Sequence, residues 1–298
     1  MTAVVREPLV LTPARPTGAT AAVPRVAVRA LAVVGRVLGG AVVLLIFLGP
    51  FLWMLSTSFQ TAAEASSLPP TLWPAQFSFD NFVEAFRRVD FTHFAVNSVI
   101  VTGATVIGQI VLIVPAAYAF ARHEFPGRAT LFGIVLATML IPGQLIFLPV
   151  FVMYAEAGLL NTHASLVLPF LASGFGLFML RQRFMQVPDA ILEAARLDNA
   201  GELRILWTIM LPMARPTIAT VALLTFVGTW NNYFFPLVWT TTEAVRTLPL
   251  AVDRLVRVDE FAPNIAMAGN VLLIIPAIVV FFLTRRHIMN AFTYTGVK

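Results

Sequence analysis

The chain has 298 residues, of which 58% are hydrophobic and 12% charged, with a formal net charge of +5 and no cysteine. A soluble domain carries about 25% charged residues to keep its surface wet, so half that share excludes an ordinary water-soluble fold and puts much of the surface in lipid. Without cysteine there are no disulfides or thiolate metal sites, and the scattered basic residues, lacking a stripe of stacking aromatics, argue against nucleic acid as a partner.

The first thirty residues are rich in Pro, Ala and Arg with little periodicity and read as a flexible tail, 1–30. The remainder, 31–298, reads as one helical membrane domain. Six windows contain no Asp, Glu, Lys, Arg or His: 37–63, 94–121, 129–155, 164–180, 216–242 and 261–284. A spanning helix needs about 20 mostly apolar residues, so these windows predict an all-α polytopic protein with six transmembrane helices. The fourth window is the shortest and draws on its flanks. Ala63-Glu64-Ala65 resembles a signal-cleavage site, but the apolar stretch and the basic region before it are too long for a signal peptide. The first span is therefore expected to stay.

Positive charge sets the orientation. With the N-terminus in the cytoplasm, the inner side holds fifteen basic residues: Arg6, Arg15, Arg25, Arg29, Arg36, Arg122, Arg128, Arg181, Arg183, Arg196, Arg204, Arg215, Arg285, Arg286 and Lys298. The outer side holds five: Arg87, Arg88, Arg246, Arg254 and Arg257. Both termini are thus expected inside a bacterial cell membrane. In the outer segment 64–93, Asp80-Asn81-Phe82 predicts a short amphipathic helix with Phe82, Ala85 and Phe86 on one face.

The spans hold no ionisable residue. That argues against a proton relay, since intramembrane charge is costly and kept for function, although backbone carbonyls can still hold sodium. A P-loop needs a Lys after its glycines, and the only Lys is Lys298. His123-Glu124 lacks the second His of a zinc-hydrolase helix, and His93, His123, His163 and His287 all sit near span ends. No catalytic residue, metal or cofactor is expected.

The connection 181–215 carries five Arg and four acidic residues and is too short for its own core. It reads as two short helices, the first opened by Pro188-Asp189. Asn199-Ala200-Gly201 marks a break, because Asn and Gly tolerate a left-handed backbone. The second helix runs from Glu202 to Met210 and is stopped by Leu211-Pro212.

Glu193-Ala194-Ala195, three residues, Asn199, nine residues, then Ile209-Met210-Leu211-Pro212 resembles the EAA loop of ABC-importer permeases. Asn199 stands where that family usually has Gly; Asn is the next-best residue for a positive φ, and Gly201 is expected to share the turn. Further runs resemble the carbohydrate-uptake branch, similar to MalG-type permeases, over about residues 35–298. They include Ala117-Tyr118-Ala119-Phe120-Ala121-Arg122, Met139-Leu140-Ile141-Pro142-Gly143-Gln144, Gly158-Leu159-Leu160-Asn161-Thr162 and Thr229-Trp230-Asn231-Asn232. The resemblance implies a type I ABC importer permease fold, with a second permease subunit, an ABC ATPase dimer and an extracytoplasmic solute-binding protein as partners. It implies a coupling helix in which Glu193 is a polar contact, Ala194 and Ala195 allow close approach, and Leu211-Pro212 end the elbow. The resemblance also implies that Asp198, Asn199 and Gly201 belong to the ATPase-coupling residues, with Asn199 and Gly201 at the turn.

The fifth span carries Thr225, Thr229, Trp230, Asn231, Asn232 and Tyr233 ahead of Pro236. Adjacent amides beside an indole are expensive in lipid unless they face a cavity or a neighbouring helix. Two readings fit Trp230, Asn231, Asn232 and Tyr233: contact with a sugar-like solute, or interhelical packing. Gln109 and Gln144 are secondary candidates for the same solute contact and read first as interhelical contacts, and Pro115, Pro142, Pro169, Gly228 and Pro276 read as kinks. The outer segment 243–260 is a candidate contact for the binding protein. The rival functions are a secondary carrier, a membrane enzyme, and a permease of the same family for a solute such as a glycerol phosphodiester.

Overall fold

The computed structural model describes residues 25–257 and 262–293, and chain contacts divide the protein into two units, 1–51 and 52–298. The described part of the first unit, 25–51, belongs to helix α1, Arg25–Thr57, whose stretch 37–48 is uncharged on every face, as suits a membrane helix. The tail expected at 1–30 lies outside the described residues as far as position 24. From Arg25 the described backbone is helical.

In the second unit, α2 (Ala62–Ala65) is a single turn closed by a Thr61–Glu64 capping box. Helix α3, Asp80–Arg88, forms where the amphipathic segment was expected, but its buried face is Asn81 and Ala85, while Phe86 is exposed. The cause is polar. The Asn81 amide donates to the Ser58 and Gln60 carbonyls at 2.9 and 2.7 Å and accepts from Asn264 at 2.8 Å, which turns that edge inward.

Helices α4 (Phe91–Arg122) and α15 (Pro263–Thr293) are continuous through the second and sixth windows. The other three windows are broken. The third divides into α5 (Arg128–Thr138) and α6 (Phe147–Glu156), because Pro142 supplies no N–H and bars Ile141 from helical backbone. The fourth divides at Pro169 into α7 (His163–Val167), a 3₁₀ turn (Leu168–Phe170) and α8 (Gly174–Met185), bent by 43°. The elbow follows: α9 (Asp189–Leu197), α10 (Glu202–Ile205), a π-helical turn (Leu206–Met210) and α11 (Leu211–Met213). A bend of 78° leads into α12 (Arg215–Trp230). The fifth window breaks again at 231–233 before α13 (Phe234–Trp239), and α14 (Leu248–Arg257) precedes α15. No strand occurs among the described residues.

Among the described residues three helices are long and apolar enough to cross a membrane unbroken, or up to five if each bent pair is one span. At 1.5 Å per residue α12 is about 24 Å long, short of a hydrocarbon core of about 30 Å.

Helix α4 sits centrally, packed on α8, α12 and α14, while α12 packs on α15. Lipid tails are as apolar as leucine, so helices associate through close packing and polar contacts rather than escape from water. Gly176 shows the first device: a Cβ there would lie 2.8 Å from Ile113 Cδ1 on α4 and 3.1 Å from Val221 Cγ1 on α12. Arg122 shows the second. Its side chain, 10% exposed, donates to the Phe184 and Val187 carbonyls that end α8 and pairs with Asp189 at the start of α9.

Two substitutions test these devices. Gly176→Leu overfills the α4–α8–α12 contact and should cost about 1–3 kcal/mol, seen as a lower Tm in detergent; an unchanged Tm contradicts the packing. Arg122→Ala strands charged-donor carbonyl contacts and should cost about 3 kcal/mol, whereas Arg87→Ala, at an exposed i,i+3 pair, should leave Tm unmoved.

Candidate functional site

The elbow is the first candidate site. Helix spacing on α9 puts Ala190, Glu193, Ala194 and Leu197 on one face and Leu192 and Ala195 on the other. The first set is exposed and the second buried. Glu193 and Ala194 therefore lie where a partner can reach them. Ala195 does not: it is 9% exposed and seats α9 on its own bundle, against the cluster of Tyr118, Phe184, Ile205 and Met210. The close approach expected of Ala195 is thus made inward.

Asp198 caps α9, and Asn199 carries the left-handed turn at φ +56°. Gly201 does not share it; at φ −69°, ψ 158° it is extended and serves as N-cap of α10. Leu211-Pro212 does not end the elbow either. The π turn over Leu206–Met210 widens the hydrogen-bond ladder, so Pro212 falls in the first turn of α11, where its missing N–H costs little, and the chain bends only after Met213. Leu211 and Pro212 are half-buried there.

Sequence reasoning missed two features of the elbow. One is apolar exposure within a charged loop: Leu197 is 85% exposed, Leu203 73% and Trp207 50%. Exposed leucines outside the lipid-facing helices mark an interaction surface. The signal was present in the mismatch between Leu197, Leu203 and any inward face. The other is Glu202, which accepts from the Tyr118 hydroxyl at 2.6 Å and from Arg196 at 3.1 Å, with His123 at 3.6 Å. The Tyr118 hydroxyl first, and Arg196 after it, hold the Glu202 carboxyl below its ordinary range.

The second candidate site is a cleft of about 560 Å³ within 52–298. All three helix breaks meet in it: Gln144 from the third window, Pro169, Phe170, Ala172 and Ser173 from the fourth, and Asn231, Asn232 and Tyr233 from the fifth. A break frees backbone groups, and at the fourth and fifth windows side-chain amides and hydroxyls pair some of them. Gln109 on α4 donates to the Phe170 carbonyl at 3.0 Å and accepts from Thr225 on α12. Ser173 accepts from the Gly176 N–H at 3.0 Å. Asn231 donates to Val227 O at 3.0 Å, and Asn232 accepts from the Phe235 N–H at 3.3 Å.

Thr225 and Thr229 also line the cleft, with Phe175, Phe234 and Phe235 as its aromatic surfaces. The lining includes no Asp, Glu, Lys, Arg or His. Trp230 is elsewhere. It is 3% exposed, stacks on Phe226 at 5.5 Å and donates from Nε1 to Leu273 O at 3.0 Å, so it holds α12 on α15 and takes the packing role. Helix phase explains this, since Trp230 ends α12 one residue before the break that turns Asn231 toward the cleft.

Three comparisons with known proteins bear on the site. Residues 109–293 match the family of binding-protein-dependent transport system inner membrane components. The chain is 34% identical to the diacetylchitobiose uptake system permease protein NgcG of Streptomyces coelicolor over 81% of each protein. It is 31% identical to the sn-glycerol-3-phosphate transport system permease protein UgpE of Agrobacterium fabrum, over 83% of this chain and 90% of that one. A bacterial ABC transporter that imports the acidic polysaccharide alginate contains a chain of the same fold, with a TM-score of 0.79 at 25% identity, covering 87% of this chain and 97% of that one. The broken helices, the elbow and these likenesses agree, and the chain is a multi-pass membrane protein that belongs to the binding-protein-dependent transport system inner membrane component family.

Proposed function

We propose that this chain is the permease subunit of an ATP-driven importer for an uncharged oligosaccharide or similar polyol, with the cleft at the three helix breaks as its contribution to the pathway. One observation carries the solute class: every polar group lining the cleft is a neutral amide or hydroxyl, set beside aromatic rings. Sugars are held by such amides with a ring face against an aromatic side chain, whereas a phosphate or uronate carboxylate that leaves bulk water for the cleft requires a cation to replace its lost hydration. The volume of about 560 Å³ suits a small saccharide. NgcG, whose name assigns it a neutral amino-sugar dimer, supports the same class.

The elbow end faces the cytoplasm in this reading, supported by the fifteen-to-five distribution of basic residues, and both termini lie inside. Glu193, Ala194 and the exposed Leu197, Leu203 and Trp207 present a mixed polar and apolar surface to a separate ATPase dimer. A second permease subunit completes the pathway, and an extracytoplasmic binding protein delivers solute to the opposite end. There the rim at 241–244 is exposed, held by Asn161, whose Oδ1 accepts from the Thr241 and Thr242 N–H groups at 2.6 and 3.0 Å. Most of the segment 243–260 is packed rather than free, with Leu248, Ala251 and Leu255 buried, and its last three positions lie outside the described residues. Transport proceeds by alternating access: closure of the ATPase pair on ATP moves the elbow, and the broken helices re-expose the cleft.

In vesicles holding the complete importer, binding-protein-delivered neutral oligosaccharides should accumulate with ATP while sn-glycerol-3-phosphate and a uronate disaccharide do not; uptake of either anion contradicts the solute class. Asn231→Ala removes about one neutral hydrogen bond, about 1 kcal/mol, and should weaken apparent solute affinity about fivefold with basal ATPase activity intact. Glu193→Lys should abolish solute-stimulated ATP hydrolysis. Stimulation at the parent level would remove Glu193 from the docking surface.

A further inference from the structure

The docking helix α9 is fastened at both ends to the last turns of one membrane helix, α4. At its start, Asp189 pairs with Arg122, whose guanidinium also donates to the Phe184 and Val187 carbonyls. At its end, Arg196 donates to Glu202 Oε1 at 3.1 Å, and Glu202 Oε2 accepts from the Tyr118 hydroxyl at 2.6 Å. Tyr118 is 4% exposed and wedged edge-on against Phe184 at 6.2 Å and His123 at 5.3 Å, so its hydroxyl has a fixed position.

Resting on the importer reading above, we infer that Glu202 is a positioning residue: with Tyr118 and Arg196 it forms a clamp that makes α4 the membrane helix through which movement of the elbow reaches the cleft. Stability alone is a poor explanation of the Arg196–Glu202 pair, whose side chains are 46% and 45% exposed, because half-solvated pairs contribute little. Its geometry joins α9, α10 and α4 across the Asn199 turn, the one place in the elbow where the backbone has no helical continuity. The same α4 carries Gln109 at the cleft, bonded to both the fourth-window break and α12. Displacing the foot of α4 therefore moves the contact that closes the fourth-window break and ties it to α12.

The chain contains no cysteine, so Arg204→Cys on α10 and Val111→Cys on α4 accept one spin label each in the importer reconstituted with its partner subunits made cysteine-free. In the parent, the separation of the labels should keep its mean and width between the nucleotide-free and the ADP–vanadate-trapped complex, because elbow and α4 move together. Glu202→Gln, and Tyr118→Phe, which keeps the ring contacts and removes only the hydroxyl, should trap nucleotide at the parent level yet shift or broaden that distribution on trapping. The clamp is overturned if the parent's own separation changes on trapping, or if both variants reproduce the parent's distribution in both states. It is also overturned if the variants fail to assemble, since the contact then serves folding alone. Failure of the parent to trap nucleotide would instead overturn the importer reading.

Discussion

In the hydrocarbon core no water is available to pair a backbone N–H or C=O, so every break in a membrane helix must be closed by the protein itself. This chain breaks three of its crossing segments, at Pro142, at Pro169 and at Asn231–Tyr233, and brings all three to one cleft. At the second and third of these breaks the closing groups are Gln109, Ser173, Asn231 and Asn232, bonded to backbone atoms at 3.0–3.3 Å. An unpaired buried polar group costs about 1–3 kcal/mol, so the buried Gln109 amide serves the fold before any solute is considered. The polarity and neutrality of the closing groups are what the cleft then offers to a passing molecule.

The two candidate sites are joined by this arrangement. An unbroken α4 runs from the elbow, where Tyr118 and Arg122 hold α9 and α10, to Gln109 at the cleft. Around the elbow, apolar burial of Leu192, Ala195, Ile205 and Met210 secures the inward face and leaves Glu193, Leu197 and Leu203 outward. A small shaped protrusion on a stiff helix, with soft and interrupted helices beside it, is the division of labour expected of a gate moved from outside. Broken helices whose ends converge near the membrane middle recur as solute sites for the same reason.

Much of this was legible in the residues. The charge-free windows located every apolar segment, because burying an ionised side chain in lipid is costly whatever the fold. The turn at Asn199 was legible because so few residues accept a positive φ. Pro142 and Pro169 announced irregularity but not its extent: whether proline kinks or severs a membrane helix depends on whether neighbours such as Gln109 stand ready to pair the freed carbonyls. Trp230 and Asn231 are adjacent, and only the point at which α12 ends decides which faces α15 and which the cleft. Gly201 and Pro212 were misread for a related reason, since Asn199 alone took the left-handed strain and the π turn absorbed the proline. The Tyr118–Glu202 contact joins residues 84 positions apart, and nothing local signals it.

The central claim is that the meeting point of the three breaks is a water-lined route that opens to one side at a time. Thiol accessibility measures it directly: Asn232→Cys and, as a buried reference, Trp230→Cys, each challenged with a membrane-impermeant maleimide from either side of sealed vesicles bearing the full importer, before and after vanadate trapping. Position 232 should react from one side before trapping and from the other after it, with position 230 inert throughout. If position 232 is as inert as position 230 in both states, the cleft is packing and not a path.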